Sequence, residues 1–308
     1  MSLNTGNYEA AQRDITRKFD LGARAVTPFY PRLSMMVNSD GADEKMAFLG
    51  SMPVVREWLG DRKFHEVRAA DFTVVNKDWE VSLRIPKNTI DDDRLGMYDP
   101  ALEMLGRRAA LHPDKLLFQY LVNGGSGVCY DGQYFFDTDH SWGASGNQSN
   151  ALTYNASDHT AVTTAEFKAA FVAAVAAMLA FVDDNGEPLW EPVVEALNGL
   201  LIVVPIALRQ QAYEAFNAPL SVGGAGASNV VIDRPQIVCS PRMTSSVTFD
   251  VYDVSEPIKP FVFQAREPIS RQVKGAADLE EKDLKLMTKS RYAVSYGFWH
   301  KAVRTVFN

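Results

Sequence analysis

The chain has 308 residues, 46% hydrophobic and 22% charged, an ordinary globular composition with material for roughly two domains of about 150 residues. Its net charge of −7 excludes a dedicated nucleic-acid binder, which carries a basic patch or stripe. Cys129 and Cys239 are the only cysteines, far apart and without CxxC spacing, which excludes the common zinc patterns and a disulfide framework and fits a reducing compartment.

The first twenty residues lack the apolar centre of a signal peptide, so a cytoplasmic origin is expected. Tyr8 to Phe19 read as an amphipathic helix. Arg13, Arg17, Lys18 and Arg24 are interleaved with Glu9, Asp14 and Asp20, the pattern of a solvated mixed-charge face, with a locally basic face as the alternative. Beyond it lies an irregular arm bearing Phe29, Tyr30, Met35 and Met36. Such an arm is either plain loop or docks on another subunit that buries its apolar residues. Gly50 to Gly60 contain a short helix or turn around Trp58.

Trp79, Val81, Leu83 and Ile85 alternate with Glu80, Ser82 and Arg84, the period of a half-buried strand. Phe72 and Val74 lie across the polar break Asn76-Lys77-Asp78 and predict the partner strand of a hairpin. An isolated hairpin is marginal in water, and no neighbouring stretch offers to cover its apolar face. Asp91, Asp92 and Asp93 follow. They precede a helix signposted by Asp99 as N-cap and Pro100 at the first position, so their charges favour its positive end; a cation site is the lesser reading. The helical pattern then runs to Asn123-Gly124-Gly125. Pro113 either kinks one long helix or opens a second, pushing His112 out of helical geometry.

Tyr134 to Phe136 predict a short buried strand, and Asp137, Asp139 and His140 crowd the turn after it. A DxDH cluster beside aromatic walls is the best candidate for chemistry, as a metal site or an acid/base pair of a metal-dependent hydrolase. The alternative, preferred because only His159 is at hand to complete a ligand set, is that these residues cap a turn. Residues 144–165 read as an exposed loop. Thr164 then caps an amphipathic helix, and the apolar run Ala169 to Val182 is too short to span a bilayer and reads as a buried helix. Strand Leu200 to Val204 and helix Ile206 to Asn217 complete an α-β-α unit. The glycine loop Gly223 to Ala227 lacks the phosphate-cradle pattern, and no serine sits in GxSxG. Strands are predicted at Val230 to Ile232, Gln236 to Cys239, Ser246 to Tyr252, Phe261 to Gln264 and Tyr292 to Phe298, with a short helix between Asp278 and Lys289.

The motifs REW at Arg56 to Trp58, NKDWEVSLRIP at Asn76 to Pro86, DDDRLGMYDP at Asp91 to Pro100, HPD at His112 to Asp114 and CYDGQYFFDTDH at Cys129 to His140 resemble the Mu-like phage major head subunit family (gpT). The resemblance implies an α+β fold of the Hong Kong 97 capsid type. It divides into an N-terminal arm (1–60), an extended E-loop hairpin (61–96), a peripheral domain with a spine helix (97–149), an axial α/β domain (150–262) and a return to the peripheral domain (263–308). It also implies a structural, non-enzymatic role: copies associate as hexamers and pentamers of an icosahedral shell in the virion, assembled in the bacterial cytoplasm. Partners would be scaffold and portal proteins and, without sequence specificity, packaged double-stranded DNA; no cofactor or membrane is implied. Inter-subunit contacts are then expected from Phe72, Val74, Lys77, Trp79, Glu80, Val81, Leu83 and Arg84 of the hairpin, roofed by a neighbouring copy. The arm would contribute Arg13, Arg17, Lys18, Phe29 and Tyr30. Another oligomeric phage structural protein, a ring or tube, shares this logic.

Overall fold

The computed structural model describes residues 5–49, 69–86, 89, 92, 94–141, 143–190, 199–217, 234–275 and 283–308. Its first sheet has four strands. β1 (Ser34–Asn38) lies parallel to β9 (Phe261–Lys274), β9 pairs antiparallel with β10 (Asp283–Tyr296), and β10 pairs antiparallel with β4 (Lys77–Pro86). The second sheet has five strands in the order β5 (Ala151–Tyr154), β11 (Ala302–Phe307), β8 (Thr248–Asp253), β6 (Leu200–Val204) and β7 (Gln236–Cys239). A separate ribbon joins β2 (Asp43–Leu49) to β3 (Ala69–Val75).

The predicted hairpin is therefore not formed. β3 pairs with β2 and β4 pairs with β10, from Lys77 against Tyr292 to Pro86 against Asp283. Nor does Ile85 wait for a neighbouring copy to cover it. It is buried in a small core with Ala11, Ile15 and Phe19 of α1 (Thr5–Arg24), Leu102 of α3 (Asp99–Ala110), and Leu284 and Leu286 of β10. The alternation in β4 identified the face to be buried, and the chain's own N-terminal helix buries it. α1 and α3 cross with their backbones in contact: a Cβ on Gly22 would collide with the Glu103 carbonyl, and one on Gly106 with that of Phe19.

Pro113 opens a second helix. α3 ends at Ala110, Leu111 leaves helical geometry, and α4 (His112–Val122) begins with His112 inside it. Asp99 is not the N-cap but the first residue of α3, after Tyr98, and its carboxylate meets Lys18 at 2.5 Å. The predicted first helix is α1, longer than expected, and the arm beyond it is more regular than expected: it contains the short α2 (Tyr30–Leu33), β1 and β2. Tyr134 to Phe136 form no strand, only an isolated bridge from Tyr134 to Val128. The 144–165 stretch contains β5.

α5 (Thr164–Leu179) is capped by Thr163 rather than Thr164. Thr163 accepts from the Glu166 amide, and Glu166 reaches back to the Thr163 N–H, a reciprocal box. α5, β6 and α6 (Arg209–Asn217) realise the α-β-α unit. From Asp283 the segment expected to hold a short helix is strand β10. Near the C-terminal end of the chain, β11 inserts between β5 and β8 of the five-stranded sheet. The main core runs through α4, α5, α6 and both sheets. Trp58, Asp91, Asp93, the Gly223 loop and Val230 to Ile232 lie outside the described residues.

Candidate assembly surface

The DxDH turn was the sequence's best site for chemistry, and its side chains do not converge. The Asp137 carboxylate accepts from the Tyr134 and Thr138 amides at 3.2 and 2.8 Å, and the Asp137 N–H donates to Asn150 Oδ1 at 2.9 Å. Asp139 and His159 are exposed. His140 is fully buried and pairs with Asp131, its Nδ1 2.6 Å from Oδ2, with both side chains at most 1% exposed. In the sequence Asp131 is followed by Gly132, a turn dipeptide, and no spacing rule ties it to a histidine nine residues on. The His140 ring stacks on Trp299 at 3.9 Å, and Trp299 stacks on His300 at 3.6 Å. Burial first, then the charges of His140 and Lys301, push the His300 pKa down to about 3. This arrangement pins the turn to the C-terminal segment. Among the described residues no three His, Cys, Asp or Glu side chains are grouped to hold a metal, and no helix is long and apolar enough to cross a membrane.

The proposed contact residues separate into two sets. Lys77, Glu80 and Arg84 are exposed on β4, Arg84 bonding to Asp283 across the β10 pair. Val81 and Leu83 are half-buried, with Leu83 against the small α1/α3 core. Phe72 is half-buried and Val74 buried at the root of the ribbon. Trp79 belongs to an internal cluster: its Nε1 donates to the Tyr292 carbonyl at 3.0 Å, and its ring packs on His112 at 4.6 Å. His112 Nδ1 lies 2.7 Å from the Tyr292 hydroxyl, and burial, with Lys115 and Arg242 nearby, lowers the His112 pKa. A neutral imidazole can accept that hydroxyl proton.

The arm aromatics also pack at home, Phe29 on Phe118 with ring centres 5.8 Å apart and Tyr30 on Phe263 at 4.3 Å. Arg13 and Arg17 face solvent, Arg17 paired with Asp14 at 2.9 Å, while Lys18 is turned to Asp99. The α1 surface is thus the mixed-charge face its sequence predicts. The sequence reading missed the outer face of α5. Ala165, Ala169, Val172, Ala173 and Ala176 point to solvent, so a helix apolar all round is covered on one side only, where such helices are normally covered on both.

A family profile described as "Mu-like prophage major head subunit gpT" matches residues 8–167, just over half of the chain. The chain is 38% identical over 151 residues to "Mu-like prophage FluMu major head subunit" of Haemophilus influenzae, covering 48% of this chain and 49% of that protein. It is 33% identical over 140 residues to the "Major capsid protein" of Escherichia phage Mu, covering 46% of each. These alignments span about half the length of the curated relatives. Among solved structures, the chain is similar to a subunit of the procapsid of bacteriophage JBD30, with a TM-score of 0.56 and 21% identity over 99% of this chain and 76% of that one. That likeness gives the fold, which is of the Hong Kong 97 capsid type. By its sequence, the chain belongs to the family of Mu-like prophage major head subunits, gpT.

Proposed function

We propose that the chain is the major capsid protein of a phage head, assembling as hexamers and pentamers into an icosahedral shell around double-stranded DNA. The family match carries this reading, and the overlay of nearly the whole chain on a procapsid subunit supports it. The open apolar face of α5 and the ten-residue edge strand β4 support it further, since both are surfaces that a lone soluble protein avoids.

In this reading α3 and α4 are the spine and the five-stranded sheet is the axial domain. The extended loop is rooted in the β2–β3 ribbon rather than in β4. Glu80 and Arg84 then offer the wet side of the peripheral sheet to neighbours. Scaffold and portal proteins are transient partners, assembly takes place in the host cytoplasm, and the finished site is the virion. An acidic chain suits a container that holds DNA without gripping its phosphates.

Negative-stain microscopy of the purified chain, alone and with its scaffold, tests the reading. Closed shells are expected. Monomers at all concentrations would overturn it, and rings or tubes of constant width would assign the chain to another phage structure.

A further inference from the structure

The ladders of β10 have different lengths on its two sides. Against β9 it is paired as far as Tyr296, opposite Phe261, but against β4 only as far as Tyr292, opposite Lys77. Ala293, Val294, Ser295 and Tyr296 are therefore strand on one side and open on the other. Among the described residues no backbone group bonds to that open side. All four residues are buried, and unpaired backbone groups in a buried place are costly.

The open edge lines a groove of about 580 Å³, whose other walls are β3 and the α4 residues Leu116 and Tyr120, with Val75 and Val128 exposed at its rim. β3 is held off this edge by its own bonds. It is paired along its length with β2, and the Val74 carbonyl accepts from Gln264 Nε2 at 3.1 Å. Asn76, the single residue between β3 and β4, is tied to Ser39 Oγ at 2.8 Å and to the Gly41 carbonyl at 3.1 Å.

We infer that this groove receives an extended segment of a second copy of this chain, which pairs with Ala293 to Tyr296 and continues the β4 side of the sheet. A strand edge of four residues, about 13 Å long, is complemented by another extended backbone. Among the described residues Lys77 is the only charged one lining the groove, so a duplex or an acidic scaffold segment finds a single cation there, whereas an uncharged strand meets matching walls. The chain has uncharged strands at its sheet edges in β1, β5 and β7. The inference rests on the shell reading, in which copies of the chain surround one another.

Hydrogen exchange of the full chain, before and after assembly, tests it. In the isolated chain the amides of residues 293–296 that face the groove exchange faster than those of 283–292, and in shells they slow by about tenfold or more. Protection already present in the isolated chain would overturn the inference by showing that its own segment fills the groove. Shells in which these amides stay fast would overturn it and leave the shell reading standing. No particles at all would overturn both. Protection gained only with scaffold, and absent from shells of this chain, would assign the groove to the scaffold instead. As a second measurement, Val75→Glu combined with Val128→Glu alters only exposed rim residues; the variant keeps the monomer's circular dichroism and raises the concentration needed for assembly about tenfold. Unchanged assembly of that variant would also overturn the inference.

Discussion

Arg304 on β11 grips Asp250 on the facing position of β8 with two parallel bonds, Nε to Oδ1 at 2.7 Å and Nη2 to Oδ2 at 2.8 Å. The same Nη2 donates to the Leu121 carbonyl at 2.8 Å, and the guanidinium lies 4.1 Å from the Phe136 ring centre. One side chain thereby ties the five-stranded sheet to the C-terminal end of α4, whose last carbonyls have no partner within the helix.

Removing one partner of a buried pair leaves the other charge unpaired, so Arg304→Ala is expected to cost about 3–5 kcal/mol. Arg304→Lys should recover only part of this, because an ammonium cannot reproduce the planar fork. Urea unfolding followed by circular dichroism measures both. Equal midpoints for wild type and Arg304→Ala would show that the pair contributes nothing net.

Gly106→Ala places a methyl group against the Phe19 carbonyl where α1 and α3 touch. Overpacking of this kind costs about 1–3 kcal/mol. The damage should be local: proteolysis of α1 accelerates, while the five-stranded sheet keeps its protection against hydrogen exchange. Uniform destabilisation of the whole chain would instead mean that the two cores unfold together.

Asp114 lies in the first turn of α4 and receives the Phe29 amide at 2.9 Å and the Tyr30 amide at 2.7 Å. Asp114→Ala loses charge-assisted bonds worth about 1.5–3 kcal/mol each and leaves two N–H groups unpaired. Release of residues 25–33 should appear as faster amide exchange there and loss of the Phe29–Phe118 contact. Asn at this position should rescue part of the effect.

Two groups make the fold acid-sensitive in overlapping windows. Hydrogen bonds from Ser157 and Thr163 lower the Glu166 pKa to about 2, so its contribution is present above its ordinary value of 4.5 and is lost as pH falls towards 2. His300 is held neutral, with its pKa near 3 instead of 6.5. The unfolded chain therefore binds the extra proton first, and stability falls as pH drops from 6.5 towards 3. Thermal melts across pH 7 to 3 should show a shallower slope above pH 4.5 for His300→Gln, while Glu166→Gln flattens only the acid end. Parallel slopes for all three proteins would contradict both assignments.

Local chemistry was legible where neighbours in sequence are neighbours in space. Leu200 to Val204 and Gln236 to Cys239 are strands within the predicted bounds, and α5 lies where its apolar pattern places it, although its cap is Thr163 and not Thr164. The motifs from Arg56 to His140 identified the family, and the Asp137 turn is a turn.

What the sequence determined by itself was which face of β4 must be buried, the starts of α3 and α5 to within a residue, and the family. What only the tertiary structure decided was the partners. The alternation from Trp79 to Ile85 states that one side must be covered, but a period of two carries no address; the pairing strand lies about two hundred residues away in β10, and the cover comes from α1 and α3. The same limit hid the Asp131–His140 pair, the insertion of β11 between β5 and β8, and the open end of β10. Each joins segments whose contact depends on how the whole chain closes rather than on the composition of either one.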